Sequence, residues 1–324
     1  MTTDNLNDNL IEAIKLKIPE GKNLANILMD SLCIGKEAVY RRLRGEVPFT
    51  FAEASVISKK LGVSLDQIVG TTYTNNAMFD LNLLNYSEPI ETYASIIEHY
   101  VTMFEQIIRN PDSMLNTASN MIPQTFYLKY DNLSRFRLFK WMYQHEKIDC
   151  VKKFSELRLS AKLKAVQSAF VDVTQYIQTT NYIWDTMIFD YIVKDIGYFY
   201  HIQLITDEEV ALLRTELLAL LDELEYIAAK GKFHTGKDVR IYITDINVEA
   251  TYSYVETANT QLSLIRIYSI NSITSINKEL CRNQKEWIHS LIKFSTQISE
   301  SGEMQRILFF KRQREIVDRL TVKQ

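Results

Sequence analysis

Apolar positions recur at helical spacing through the first seventy residues and predict five short helices. Leu6, Leu10, Ile11, Ile14 and Ile18 line one side of a helix over 5–18, which Pro19-Glu20-Gly21 ends. Leu24, Ile27, Leu28 and Leu32 mark a second over 23–33, followed by a short turn at Ile34. Between Gly35 and Gly45 lies a third helix with only a narrow apolar seam of Ala38, Val39 and Leu43, and Gly45 is placed to stop it in a left-handed conformation. Ala54, Ile57 and Leu61 share one face of a fourth helix over 51–61. A turn at Gly62-Val63 then leads into a last short helix capped by Ser64 and closed at Gly70. The polar stretch 71–77 has no periodicity and reads as a hinge.

Beyond the hinge the pattern alternates over 78–84, with Phe79, Leu81 and Leu83 against Asp80 and Asn82, as in a strand. A helix over 87–110 opens with Pro89 in its first turn, and 111–123 reads as a looser connection. No proline follows Pro123, and helical spacing marks 130–146, 155–179, 182–201 and 206–230, the last opening on Thr206-Asp207-Glu208-Glu209. Alternation returns at 239–243, 248–256 and 261–268, which predicts an antiparallel meander with 78–84 as its fourth strand. Helices over 277–297 and 303–320 close the chain. The expected class is mainly α: a five-helix N-terminal domain over 1–73, then a larger, mostly helical domain over 74–324 with a small antiparallel β-sheet.

The third helix leaves Lys36, Glu37, Tyr40, Arg41 and Arg44 on its outer faces and carries four cations against one acid. Between 28 and 69 the chain reads Leu-x-x-x-Leu-x-Ile, then Val-Tyr-Arg-Arg-Leu-x-Gly, then Leu-Gly-Val-Ser-Leu-Asp. This succession resembles the helix-turn-helix domain of the Cro and lambda-repressor family. Met29 and Cys33 depart from it, standing where the family usually carries alanine and glycine. The resemblance implies that the third helix enters a DNA major groove. Lys36, Glu37, Tyr40 and Arg41 would then contact base edges, and Lys22, Asn23, Arg42, Arg44 and Thr50 would hold phosphates. Two residues have competing readings: Tyr40 could pack on a neighbouring helix, and Glu37 could pair with Arg41 four residues on.

Charge sharpens this picture. The whole chain of 324 residues has a net charge of −3, so nucleic-acid affinity must come from a local patch. The first seventy residues are close to neutral, which concentrates the argument on 36–44 and favours a homodimer reading two half-sites of double-stranded DNA. Met304, Ile307, Leu308, Ile316 and Leu320 offer a dimer seam on the last helix. An apolar content of 46% is ordinary for a folded core. Cys33, Cys150 and Cys281 stand apart, without metal spacing, as suits a reducing cytoplasm. The N-terminus has no secretion pattern and no stretch is apolar enough to span a membrane.

Candidate chemistry in the long domain is sparse. After position 71 only Gly197, Gly231, Gly236 and Gly302 remain, too few for a phosphate cradle, and the run Gly231–Lys237 precedes a strand, as an exposed loop would. The five histidines are scattered, and no nucleophile elbow or metal motif occurs, so no catalytic residue, metal or cofactor is expected. Two aromatic clusters, around Phe126–Tyr143 and Tyr182–Tyr200, form either a large core or the walls of a ligand cavity. The expectation is a cytoplasmic, sequence-specific DNA-binding transcriptional regulator, not an enzyme. Its long domain would dimerise the chain, sense a small-molecule or protein effector, or both. The rival is an antitoxin-like module whose long domain grips a partner protein.

Overall fold

A computed structural model describes residues 3–17, 24–69, 77–145 and 152–320. The expected helix end at Ile18–Gly21, the phosphate candidates Lys22 and Asn23, Gly70, most of the hinge and Cys150 lie outside these residues. The chain forms two compact units, Met1–Met78 and Phe79–Gln324.

The first unit holds α1 (Thr3–Lys17), α2 (Leu24–Leu32), α3 (Lys36–Leu43), α4 (Phe51–Leu61) and α5 (Leu65–Val69), where the apolar spacing places them. Leu10, Ile14, Leu28, Val39, Ile57 and Val63 meet in its core. Thr50 and Glu53 start α4 with a reciprocal capping box, and Gly62 ends it at φ 65°. Lys60 Nζ reaches the Asp30 and Ser31 carbonyls at 3.4 Å each, satisfying acceptors near the end of α2. The turn from α2 to α3 needs the same left-handed geometry that Gly62 supplies, but Cys33 adopts it, at φ 54°.

The second unit contradicts the mainly α expectation. Its strands are β1 (Asp80–Asn82), β2 (Met114–Ser119), β3 (Thr179–Asp185), β4 (Asp238–Thr244), β5 (Tyr252–Glu256), β6 (Gln261–Ile267), β7 (Asn271–Ser275) and β8 (Ser295–Gln297). They form one eight-stranded mixed sheet in the order β1-β7-β6-β5-β2-β3-β4-β8. The trio β2, β3 and β4 is parallel and every other pairing is antiparallel, so the fold is α/β.

The meander therefore needs correction. β5, β6 and β7 form it and β1 does join its edge, but β4 lies across the sheet beside β3. β3 occupies residues expected in or between two helices, and β2 lies inside the expected loose connection. Strands covered on both faces lose the alternation that advertises a strand: Thr180 to Asp185 are all buried.

Helices α6 (Pro89–Ile107), α7 (Gln124–Tyr127), α8 (Asp131–Tyr143), α9 (Ala161–Thr174), α10 (Asp190–His201), α11 (Asp207–Lys230) and α13 (Glu303–Val317) all contribute to one large core on one sheet face. Tyr182, Trp184, Val239 and Ile241 point into it from the strands. Helix α12 (Lys278–Ile292) covers the opposite face, packing Cys281, Ile288 and Leu291 on Ala118, Ile183 and Tyr254. The proposed α13 seam is also corrected. Ile316 and Leu320 are buried within this unit, whereas Met304, Ile307 and Leu308 remain exposed. Among the described residues no helix is long and apolar enough to cross a membrane.

The Cys33 conformation yields a stability prediction. A left-handed non-glycine residue costs about 1–2 kcal/mol, while glycine loses about 0.5–1 kcal/mol more chain entropy on folding. Strain relief is the larger effect, so Cys33→Gly should stabilise the first unit by about 0.5–1 kcal/mol. Chemical denaturation of the full chain, read on the transition of that unit, checks it.

Candidate nucleic-acid interface

Helix α3 starts at Gly35, whose extended backbone supplies no side-chain cap. Val39 is fully buried and, with partly buried Leu43, seats the helix on the core. Lys36, Glu37, Tyr40 and Arg41 fall on the opposite side, all exposed. Positions i, i+1, i+4 and i+5 form one helical face, so these four side chains present together. Lys36 Nζ stands 6.0 Å from the centre of the Tyr40 ring, and Tyr40 itself is 37% exposed instead of packed away.

The flanking cations are restrained by acids. Arg42 is half-buried, with Nη2 at 2.8 Å from Glu53 Oε1, Nε donating to Glu53 Oε2 at 3.1 Å, and Nη1 donating to the Ala38 carbonyl at 3.2 Å. Thr50 accepts from the Glu53 amide at 3.2 Å and returns its own amide to the Glu53 carboxylate at 2.8 Å. Both phosphate candidates thus help tie α3 to the start of α4. Arg44 donates to Glu46 at 2.6 Å and to Glu37 at 3.5 Å, while Arg41 lies 3.6 Å from Glu46. Glu37 therefore pairs with Arg44, not with Arg41.

Glu46 and Glu53 were absent from the candidate set, although Glu53 had a sequence signature: it stands three residues after Thr50, ahead of an apolar run. Four cations and three acids occupy this surface, so the basic rod is largely self-compensated. The exposed pairs are weak enough for a phosphate to displace an acid at small cost. The half-buried Arg42–Glu53 pair is not in that class.

Among the described residues no cluster of His, Cys, Asp or Glu could hold a metal ion. Most members of the aromatic clusters are core: Phe126, Phe136, Phe139, Trp141, Trp184 and Phe189 are wholly buried. Comparison of the chain with protein-family models, with curated proteins and with solved structures gave no match.

Burial pushes the Glu53 carboxyl up, but the Arg42 guanidinium and the Thr50 amide outweigh it and hold the group below its ordinary value. A depressed carboxylate stabilises the fold at pH values above its unfolded pKa, about 4.3. That contribution disappears as pH falls through the lower folded value. Acid titration of the first unit should therefore show a stability loss beginning near pH 4, and Arg42→Ala should flatten this loss. At neutral pH the same variant should cost about 1–3 kcal/mol, because it leaves the half-buried Glu53 without its charged partner. Unfolding midpoints at several pH values check both.

Proposed function

We propose that this protein is a sequence-specific DNA-binding transcriptional regulator of the Cro and lambda-repressor helix-turn-helix type, acting as a homodimer on double-stranded DNA. The observation that carries the reading is the face of α3, where Lys36, Glu37, Tyr40 and Arg41 stand exposed together behind a buried Val39. Arg41 can offer paired donors to a guanine edge, Glu37 can accept from cytosine, and Lys36 can reach either an acceptor or a phosphate. Arg44 is exposed and its acidic partners are exchangeable, so it is the phosphate contact favoured by its surroundings. Arg42 and Thr50 fix the angle of α3, and through it the register on the duplex.

Selection of bound fragments from random DNA tests this reading. A single enriched motif is expected, and Arg41→Ala should weaken binding to it by about 1–3 kcal/mol while changing random-sequence binding little. Equal losses on both would remove Arg41 from the reading set.

The second unit has the size and the pocketed sheet of a sensing and dimerisation domain. On α13, Met304, Ile307 and Leu308 form an exposed apolar face of i, i+3, i+4 spacing, 64%, 49% and 57% exposed. We assign the two-fold contact to this face. Leu308→Glu should shift the protein from dimer to monomer in sedimentation equilibrium without unfolding it. A monomeric parent chain would instead favour the rival reading, in which this face takes a different protein.

A further inference from the structure

On the sheet face opposite α12, side chains of three adjacent strands fall into register. Leu115, Val255 and Leu262 form one row, and Thr117, Ser253 and Leu264 form the next. One step further along, Ser119 hydrogen-bonds Thr251 at 2.8 Å, and Arg266 donates its amide to the Thr251 carbonyl at 2.9 Å. Successive same-face rows in a sheet are about 7 Å apart. The sheet surface is therefore graded, over roughly 14 Å, from purely apolar to polar with a guanidinium at one end.

A cavity of about 60 Å³ lies over this floor, lined also by Tyr100, Phe104 and Phe170. A single water needs roughly 10–15 Å³ by the same kind of measure, so the space suits a few methylene-sized groups. Arg266 and Thr251 also line a second, wider crevice of about 520 Å³, at the carboxyl end of β2 and the start of β5. There the chain, having laid β3 and β4 on one side of β2, has crossed to its other side to lay β5. Such a switch in strand order opens a crevice at the strand ends, where α/β folds bind ligands.

Arg266 stands at the junction of the two spaces and, among the described residues, is held by neutral acceptors. It donates to Gln124 Oε1 at 2.6 Å and to the Ile270 carbonyl at 2.8 Å, and no carboxylate among the described residues forms an ion pair with it. The other charged groups of the crevice are differently placed. Lys140 is paired with Asp195, His145 Nδ1 is bonded to the Trp141 carbonyl at 2.7 Å, and Glu249 lies on the crevice wall. Behind Met121, which also lines the crevice, Arg137 is 7% exposed. Its hydrogen bond runs to the Met121 sulfur at 3.5 Å, and its Nε has no partner. Both guanidiniums act on the buried Tyr93 hydroxyl, opposing the upward push that burial gives it. The polar end of the floor therefore carries two guanidiniums that form no ion pair among the described residues, with Glu249 the carboxylate on the crevice wall. At the crevice rim Tyr268 and Ser269 both hold positive φ, 43° and 73°, in the hairpin that delivers the Ile270 carbonyl to Arg266. A tight hairpin turn imposes this conformation on its central residues.

We propose that this junction binds an amphipathic organic anion, a short aliphatic monocarboxylate whose tail enters the inner cavity and whose carboxylate pairs with Arg266 from the crevice side. The tail meets Leu115, Val255 and Leu262, and the carboxylate accepts from a planar fork suited to two parallel bonds. The inference supplies a ligand class for the sensing role proposed above, but the site lies wholly in the second unit and binding is measured without DNA. Failure of DNA selection therefore leaves it standing, and its own failure leaves the DNA reading standing.

Calorimetric titration of the full chain with hexanoate, hexanol and acetate tests it. Hexanoate should bind saturably, at least tenfold tighter than either hexanol, which lacks the charge, or acetate, which lacks the tail. Arg266→Gln should weaken hexanoate at least tenfold and leave hexanol unchanged. Ser253→Leu, which fills the floor while keeping Arg266, should abolish the advantage of hexanoate over acetate. Circular dichroism verifies that both variants are folded. No saturable hexanoate binding by the parent chain, parity of hexanoate with hexanol, or unchanged hexanoate affinity in a folded Arg266→Gln variant each overturns the proposal.

Discussion

Strand β3 is hydrogen-bonded to parallel partners on both edges and covered on both faces, and the second unit is built to meet that demand. A parallel neighbour cannot be reached by a tight turn, so each of the steps β2 to β3 and β3 to β4 requires a long crossover. These crossovers supply α7 to α11, and their apolar sides bury Tyr182 and Trp184. The opposite face would leave Ile183 wet without α12, which returns after the meander to cover it. Asn181 of β3 obeys the same constraint: it donates to Asn116 of β2 at 2.7 Å within the sheet interior. A buried amide without such a partner would cost about 1–3 kcal/mol.

The same topology creates the graded cavity. After β4 the chain crosses to the far edge of β2, where β5 to β7 extend the sheet in antiparallel steps, and β8 later takes the outer edge of β4. A crevice lies at these strand ends, lined by Asn120, Met121 and Thr251. Side-chain alternation then sorts the floor: on β6, Leu262, Leu264 and Arg266 share one face, while Ser263 turns to the other and bonds Gln284 of α12. In the proposed regulator, a ligand held there would alter DNA affinity only by binding unequally to states that differ in it.

In the first unit, electrostatics within a small surface has the corresponding role. The seam of α3 is too narrow to fix its orientation by burial alone, with Val39 its one fully buried member. The Arg42–Glu53–Thr50 network adds directional restraint between α3 and α4. The cost is a surface whose positive charge is partly neutralised, so under the proposed function a phosphate would displace an acid there and not simply be attracted.

The helices of the first unit were legible because each is amphipathic and short, so the 3.6-residue period survives from one stop signal to the next. The starts of α4 and α11 were legible for a local reason too: a Thr followed three residues on by Glu forms the same capping box wherever it occurs. The candidate face at Lys36, Glu37, Tyr40 and Arg41 could be placed from the position of Val39 alone, since one buried residue sets the phase of a helix. The parallel strands could not be placed. In β3, Thr179-Thr180-Asn181-Tyr182-Ile183-Trp184-Asp185 has no alternation, because both of its faces are buried by residues remote in sequence, and no glycine or proline marks the turns that bound it. Nor could the sequence show which acids restrain which arginines. Glu53 stands eleven residues from Arg42, and their meeting depends on the angle between two helices. Arg266 and Gln124 are 142 positions apart, and only the crossing of the chain from β4 to β5 brings them together. Short-range periodicity is a property of neighbouring residues and can be read from them, whereas a site assembled across strand order exists only once the sheet has closed.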